Sequence, residues 1–378
     1  MSRLMVAVLI AAAGGPLIIS LLLTALVRRL ARRWGFVDRP GGHKAHESPV
    51  ALGGGIAITA AVVLPLLAMA LLADVGRSWL PPALLNQTFH VGGHQGRLAD
   101  LLGGVGLRLY PALAVVGGAI VLHVLGLADD VRALGPGVKM TVMTAVALVL
   151  AAGFRIRSLE LLGPIPATIF TVLWVVLVTN AFNFMDNMDG LSAGVAAITA
   201  FFFAVSALLA GQVFVPALAL MLFGAVLGFL VFNFPPASIF MGDAGSLVIG
   251  YFMALLTVLT TYYSPAQQRE PFGILAPLVV LAVPLYDVLS VVVVRIRAGD
   301  SPFRGDRRHF SHRLVRRGLR PRSAVLTIYL ATAATGVSSL LLPFHGWPFA
   351  LLILAQCFCI VLIVAILESA GGGRAVEP

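Results

Sequence analysis

Charge is what this sequence has least of. Asp, Glu, Lys and Arg make up 11% of its 378 residues, against 59% hydrophobic; a soluble domain carries about a quarter charged residues. A soluble fold so poor in charge could not cover its own surface, which excludes a water-soluble globular protein. Cysteine is nearly absent. The two present, Cys357 and Cys359, sit in the last apolar run. Their spacing points them to different faces of a helix, so they read as small buried side chains and report no redox compartment. The first 27 residues lack a cleavage site: their apolar stretch is long and is closed by Arg28 and Arg29, so a retained first helix is expected. Nor is there an internal repeat of the kind that builds inverted-topology transporters.

What is present is a series of apolar segments near the ~20 residues a bilayer-spanning helix needs. They fall at about 5–27, 52–73, 109–128, 138–154, 165–182, 191–210, 213–232, 244–262, 273–294, 324–342 and 347–367. The expected fold is all-α, one polytopic membrane domain over 1–378 with about eleven transmembrane helices. Basic residues set the orientation. With the loop after the first helix in the cytoplasm, nineteen of the 26 Lys and Arg residues share that side. The N-terminus is then outside and the C-terminus inside. The formal charge of +10 is accounted for by topology and by phosphate or anionic-lipid ligands, with no nucleic acid implied. An odd helix count also puts five polar segments on one face: 34–51, 128–139, 180–190, 233–243 and 295–323. The opposite face has one long loop, about 74–108. Its His90, His94 and Asp100 fit no helical metal spacing and read as an ordinary outer loop.

The cytoplasmic segments hold the residues that apolar helices do not need. In "HVLGLADDVRALGPGVKM", Asp129 and Asp130 end a helix, with Arg132 and Lys139 nearby. Acids at a helix C-terminus oppose the macrodipole and repel each other, a cost that a cation or a proton-transfer role would offset; an anchored helix end is the plainer reading. In "NAFNFMDNMDG", Asn180, Asn183, Asp186 and Asp189 recur every three residues, one polar stripe if the helix continues. Such a stripe suits a hydrated divalent cation and a polar sugar; a solvated helix end explains the polarity but not the spacing. In "FNFPPASIFMGDAGS", Asn233 and two prolines end one helix and Asp243 stands where the next would be capped. That suits a metal-bound pyrophosphate, with the carboxylate on Mg²⁺ and the free helix N–H groups on phosphate. In 301–323, His309, His312 and Arg313 lie in a stretch whose basic residues are all arginine, which grips phosphate in two-pronged fashion. A positive-inside loop is the alternative there. Lys44, in the turn-rich loop "VDRPGGHKAHESPVALGGG", is a further candidate phosphate contact. Carboxylates for a divalent cation beside arginines for phosphate describe phosphoryl chemistry, and embedding in lipid makes one reactant a membrane molecule.

Read in order, "DRPGGHKAH…GGG", "ADD", "NAFNFMDNMDG", "IFMGDAGSL" and "RHFSHRL" resemble the bacterial polyprenyl-phosphate N-acetylhexosamine-1-phosphate transferases, of one superfamily with the phospho-MurNAc-pentapeptide transferases. The resemblance runs from about Asp38 to Gly318. It implies transfer of a sugar-1-phosphate from a UDP-sugar to undecaprenyl phosphate, with release of UMP, in the cytoplasmic membrane. Mg²⁺ is the implied cofactor, Mn²⁺ a substitute; a homodimer is left open. Under it Asp243 is the main metal ligand, with Asp186 in the metal or nucleotide site. Asp129 and Asp130 are the essential pair, Asp189 a further nucleotide or metal residue, and Lys44, His309, His312 and Arg313 phosphate and sugar contacts. Lys139, Asn180, Asn183 and Asn233 complete the expected substrate-binding set. Two departures stand out. Asn187 replaces the first Gly of the usual "DGxDG", where a left-handed Asn would keep the turn, and His43 precedes Lys44 where Arg is usual. The histidine–arginine motif, in place of three consecutive histidines, favours UDP-GlcNAc over UDP-MurNAc-pentapeptide. The rival from another class is a polytopic transporter, which would place its carboxylates in mid-helix.

Overall fold

The computed structural model describes residues 2–39, 49–91, 94–262, 270–301 and 308–369. Its helices, in chain order, are α1 (Arg3–Trp34), α2 (Gly54–Trp79), α3 (Pro82–Leu85), α4 (Leu98–Leu107) and α5 (Leu109–Val131), then α6 (Pro136–Leu148), α7 (Pro164–Met185), α8 (Leu191–Leu209), α9 (Phe214–Asn233) and α10 (Asp243–Leu259), and last α11 (Ala276–Val280), α12 (Ala282–Arg297), α13 (Phe310–Arg316), α14 (Pro321–Ser339) and α15 (Trp347–Ser369). Two short antiparallel pairs join β1 (Val37–Asp38) to β2 (Val50–Ala51) and β3 (Thr88–Val91) to β4 (His94–Arg97). Each of the eleven expected spans falls on helix. Among the described residues eight helices are long and apolar enough to cross a bilayer, or nine if the bent pair α11–α12 is one span. The apolar stretches Gly54–Ala70 and Asp243–Leu259 are shorter. The 61° bend between α11 and α12 follows from Pro284, which offers no N–H to the carbonyl of Val280 and crowds it.

The centre of the bundle is α8 and α10, the latter buried continuously from Ala244 to Thr257. Its outer helices turn large apolar side chains outward: Leu22 is 67% exposed, Leu173 65%, Leu330 72% and Phe358 66%. An exterior of this kind suits hydrocarbon, and the chain is a multi-pass membrane protein. Close helix contacts rest on glycine. A Cβ at Gly224 would lie 2.0 Å from the Ala13 carbonyl oxygen and one at Gly228 2.6 Å from that of Leu17. This small-xxx-small pair lets α9 run alongside α1.

The two ends of the bundle differ. At one, Phe89 and Val91 of β3 pack on Met5 and Leu9 of α1 and on Leu208, Val213 and Leu220. The expected outer loop is therefore partly a hairpin roofing the bundle. Its Asp100 accepts the Arg97 N–H at 3.0 Å and is spent on that turn. At the other end the polar segments meet. Ala51 pairs with Ile239, and Gly54 and Gly55 donate N–H bonds to the carbonyls of Phe240 and Met241 at 2.9 and 3.0 Å. Asp189 accepts the Ala237 N–H at 2.8 Å, Arg322 donates to the Pro235 carbonyl at 2.9 Å, and Arg28 donates to Ser238 at 3.1 Å. The 234–242 segment is thus the hub on which the others converge.

Gly55 sets how closely α2 approaches α10, since a Cβ there would stand 2.3 Å from the Gly245 backbone nitrogen. Backbone cannot swing aside, so Gly55→Ala should destabilise the protein by at least ~1–3 kcal/mol. Gly117→Ala, whose Cβ would meet nothing within 4 Å, should cost nothing. Thermal unfolding of the two purified variants in the same detergent checks the contrast.

Candidate active site

Asp130 is the centre of the polar end. It leaves the C-terminal turn of α5 and reaches the first turn of α10, where Oδ1 accepts the Asp243 N–H at 2.7 Å and Oδ2 the Ala244 N–H at 3.2 Å. One carboxylate thereby satisfies two of the unpaired donors with which a helix begins, and lies on the positive end of its dipole. Two glycines permit the approach. A Cβ on Gly242 (φ +68°) would fall 2.3 Å from the Asp130 carboxylate, and one on Gly126 2.4 Å from the backbone at Asp243. This corrects the expectation for "FMGDAGS". The N-cap is Gly242, Asp243 is the first helical residue, and the two N–H groups expected to hold phosphate already bind Asp130.

Asp243 points its side chain into a second set of partners. Oδ1 accepts from the Asn183 amide at 2.9 Å, and that amide also donates to Ser246 at 2.9 Å. Oδ2 is 2.8 Å from the Lys139 ammonium, which lies 3.2 Å from Asp129 Oδ2. Asp129 is completed by the Leu134 N–H at 2.7 Å. The repulsion between the adjacent acids is thus relieved in two directions, Asp129 by Lys139 and Asp130 by a helix terminus.

The "NAFNFMDNMDG" stretch is not a continuous stripe. Helix α7 stops at Met185 and Asp186 is its C-cap, so the period of three breaks there. Asn180 turns away from the acids, donating to its own helix at the Val176 carbonyl (2.8 Å) and facing the sulfurs of Met140 and Met143. Asn183 and Asp186 reach the site. Asn187 does not take the left-handed conformation; Gly190 does, with φ +72°. Asn187 instead accepts the Ser311 hydroxyl at 2.7 Å and donates to the Phe184 carbonyl at 2.7 Å, tying the acidic turn to α13. Tyr329 donates its hydroxyl to the Gly190 carbonyl. Asn233 is buried and acts as a strut, accepting the Gly190 N–H at 3.0 Å and donating to the Ile239 carbonyl at 2.9 Å.

Asp186 is the exception among these acids. Among the described residues nothing hydrogen-bonds its side chain. Burial, together with the nearby charges of Asp243, Asp130 and Asp189, pushes its carboxyl well above the usual carboxylate range. Lys139 is the one cationic side chain paired with any of the five carboxylates among the described residues. No three His, Cys, Asp or Glu side chains are gathered there to hold a metal unaided, again among the described residues. Mg²⁺ asks for less: it is typically held by one or two carboxylates plus substrate phosphates and water. Asp186 and Asp243 are hard oxygen donors in a site short of positive charge, and they fit it.

The histidine–arginine segment divides in two. His309 is 5% exposed, with Nδ1 2.9 Å from Asp287 Oδ2 and its ring edge-on to Phe184. Arg313 is held by Glu368 of α15 at 3.0 Å and by Ser290 at 2.9 Å. It lines a cavity of about 390 Å³ with Arg316, Arg317 and Glu368. His312 is half-buried on the same helix. Lys44 lies outside the described residues.

Comparison with known proteins decides the lineage. Residues 112–261 match the model of glycosyl transferase family 4. The chain is 32% identical to the probable undecaprenyl-phosphate N-acetylglucosaminyl 1-phosphate transferase of Bacillus subtilis, over 85% of this chain and 81% of that protein. It is 34% identical to the decaprenyl-phosphate N-acetylglucosaminephosphotransferase of Mycolicibacterium smegmatis, over 83% and 77%. With the undecaprenyl-phosphate alpha-N-acetylglucosaminyl 1-phosphate transferase of Escherichia coli it shares 28% identity over 81% and 76%. The chain belongs to the polyprenyl-phosphate N-acetylglucosamine-1-phosphate transferase family. The matched region runs from α5 to the end of α10 and contains Asp129, Asp130, Lys139, Asn183, Asp186, Asp189 and Asp243.

Three side chains of this family member escaped sequence reasoning. Asp287 is 0% exposed on α12; its signal was a lone acid in an apolar run. Glu368 carried the same signal at the end of α15. His123 of α5 lies 3.0 Å from the Ala244 carbonyl and 3.1 Å from Thr59, bracing the first turn of α10; no local pattern marks it.

The raised Asp186 carboxyl sets the sign of a pH effect. Its protonated form is favoured by folding, so this contribution to stability is present in acid and lost as pH rises through the raised value. In chelator, the Tm of purified protein should fall as pH is raised above the ordinary carboxylate range. Asp186→Asn should flatten that fall. Added Mg²⁺, which favours the charged form, should raise Tm most at the alkaline end. A Tm that climbs with pH in chelator would contradict the assignment.

Proposed function

We propose that this protein transfers N-acetylglucosamine-1-phosphate from UDP-GlcNAc to a polyprenyl phosphate, undecaprenyl phosphate in first place, at the inner face of the bacterial cytoplasmic membrane. The products are a lipid-linked pyrophosphoryl sugar and UMP. The observation that carries the reading is the carboxylate centre, where Asp186, without a hydrogen-bond partner among the described residues, stands near Asp243 at the polar end of a lipid-embedded bundle. The names of the relatives supply the substrate class.

In this reading an oxygen of the lipid phosphate attacks the β-phosphorus, the one bearing the sugar. The bond from that phosphorus to the bridging oxygen breaks, and UMP leaves with the oxygen and its electron pair. A phosphate monoester has a second pKa of about 6 and is largely ionised at neutral pH, so attack requires no strong base. Asp243 and Asp186 would hold Mg²⁺, which when bound would supply charge neutralisation at the transferring group. Asn183 fixes one oxygen of Asp243, and Asp130 fixes its backbone, so the ligand is oriented before substrate arrives. Lys139 balances Asp129 and Asp243 and is placed to meet phosphate charge. Catalysis on such a site is positioning and electrostatics. Carboxylates at helix ends on one face favour this over a transporter.

Purified protein given labelled UDP-GlcNAc, undecaprenyl phosphate and Mg²⁺ should yield labelled lipid and UMP in equal amounts. Chelation should stop it. Asp243→Ala should lower kcat on the order of 10²-fold or more while the protein still inserts. Product from UDP-MurNAc-pentapeptide alone would overturn the donor. Solute uptake into proteoliposomes without UMP release would overturn the reaction.

A further inference from the structure

We propose that Asp287 is a positioning residue for this reaction: it fixes the ring of His309 so that Nε2 is the atom presented to substrate. The inference rests on the reading of the site given above and extends it to a residue outside the motifs.

Asp287 sits within α12, 0% exposed, in a helix whose Val283, Val288 and Val291 are also buried. Both oxygens of its carboxylate reach the start of α13. Oδ2 lies 2.9 Å from His309 Nδ1, and Oδ1 accepts the Phe310 N–H at 3.3 Å. A buried acid–base pair is a poor way to join two helices, because well-packed hydrophobic residues of similar volume do it as well or better. Its presence calls for a use. A carboxylate at Nδ1 requires the ring proton there, which fixes the tautomer and leaves Nε2 to act. Among the described residues Nδ1 carries the sole hydrogen bond of that ring.

The opposite constraint comes from the acidic turn. Phe184 meets the His309 ring edge-on with centroids 6.0 Å apart, and its other neighbour is the Arg295 guanidinium, 5.3 Å from the ring centre. Phe184 follows Asn183 and precedes Asp186 by two residues, so the ring that clamps His309 belongs to the segment that forms the carboxylate centre. Ser311, two residues on, bonds Asn187 of the same turn. His309 is therefore registered against the Asp186 turn by aromatic contact and hydrogen bond, and held in rotation by Asp287 from behind. An imidazole so fixed can donate or accept at one nitrogen only, as a group meeting a phosphate or sugar oxygen must.

The test compares kcat and KM for UDP-GlcNAc in Asp287→Asn, His309→Ala and the double variant, with circular dichroism and gel filtration as checks on folding. Asp287→Asn keeps shape and an acceptor for the Phe310 N–H. It should lower kcat roughly 10–100-fold, the usual cost of removing such a supporting partner, with KM changed less than about threefold. The double variant should be no slower than His309→Ala, since Asp287 acts through that ring. If Asp287→Asn does not fold, Asp287→Glu enters the same comparison. A kcat unchanged in the Asp287 variant, or a double variant whose losses multiply, overturns the role of Asp287. Failure of the wild type to make lipid-linked sugar overturns the reaction itself, and this role with it.

Discussion

The contact on which the site depends is the one between the Asp130 carboxylate and the first two N–H groups of α10. It joins the end of one apolar helix to the start of another, and Asp243 occupies the junction. Hydrogen bonds to a charged acceptor are worth about 1.5–3 kcal/mol each, and Asp130 accepts two. They also determine where Asp243 stands, because the backbone N–H that binds Asp130 belongs to Asp243 itself. The two glycines follow from this geometry. Any side chain at Gly242 or Gly126 would enter the space that the carboxylate or the α10 backbone fills.

With Asp130 held by two N–H groups of a helix terminus, the other acids differ in their partners. Asp129 and Asp243 share Lys139, Asp189 accepts a backbone N–H, and Asp186 has no donor among the described residues. The deficit falls on Asp186, in the place where a further cation would meet Asp243. A site already neutral would gain nothing from a divalent ion. On the proposed reading, one lacking positive charge would take the ion and its anionic substrate together, since Mg²⁺ is typically held by one or two carboxylates plus substrate phosphates and water. The low dielectric of a helix bundle in lipid raises the stakes of each such charge.

Much of this was legible in the sequence because it rests on local pattern. Apolar runs of bilayer length located the helices, though α1 and α2 run six to seven residues further than expected and the 273–294 span is a bent pair; the segments with too many acids, amides and arginines are those that meet at one end. Contacts made across the fold were not legible. Nothing near Asp130 in the chain says that its partner is a backbone 113 residues away, and nothing near Asn233 says that it braces Gly190. The regular spacing from Asn180 to Asp189 suggested a helix that in fact ends at Met185, because Gly190 has to turn the chain into α8. Asn187 was read for the turn it would tolerate, whereas its side chain serves to reach Ser311. Asp287 was within reach of reasoning: an ionisable residue in an apolar helix is costly and so demands a reason.

In the fold the guanidinium groups of the histidine–arginine segment stand apart from the site carboxylates, although Lys139 pairs with two of them. Here the guanidinium groups are held off by partners of their own: Arg313 by Glu368 and Ser290, Arg322 by the Pro235 carbonyl, Arg295 over the face of Phe184. Lys139 apart, the site carboxylates and the arginines are kept as separate banks, joined through neutral links, the Phe184–His309 ring contact and the Asn187–Ser311 hydrogen bond. On the proposed reading, a diphosphate entering between the two banks would meet both, with only the Lys139 ion pairs to rearrange.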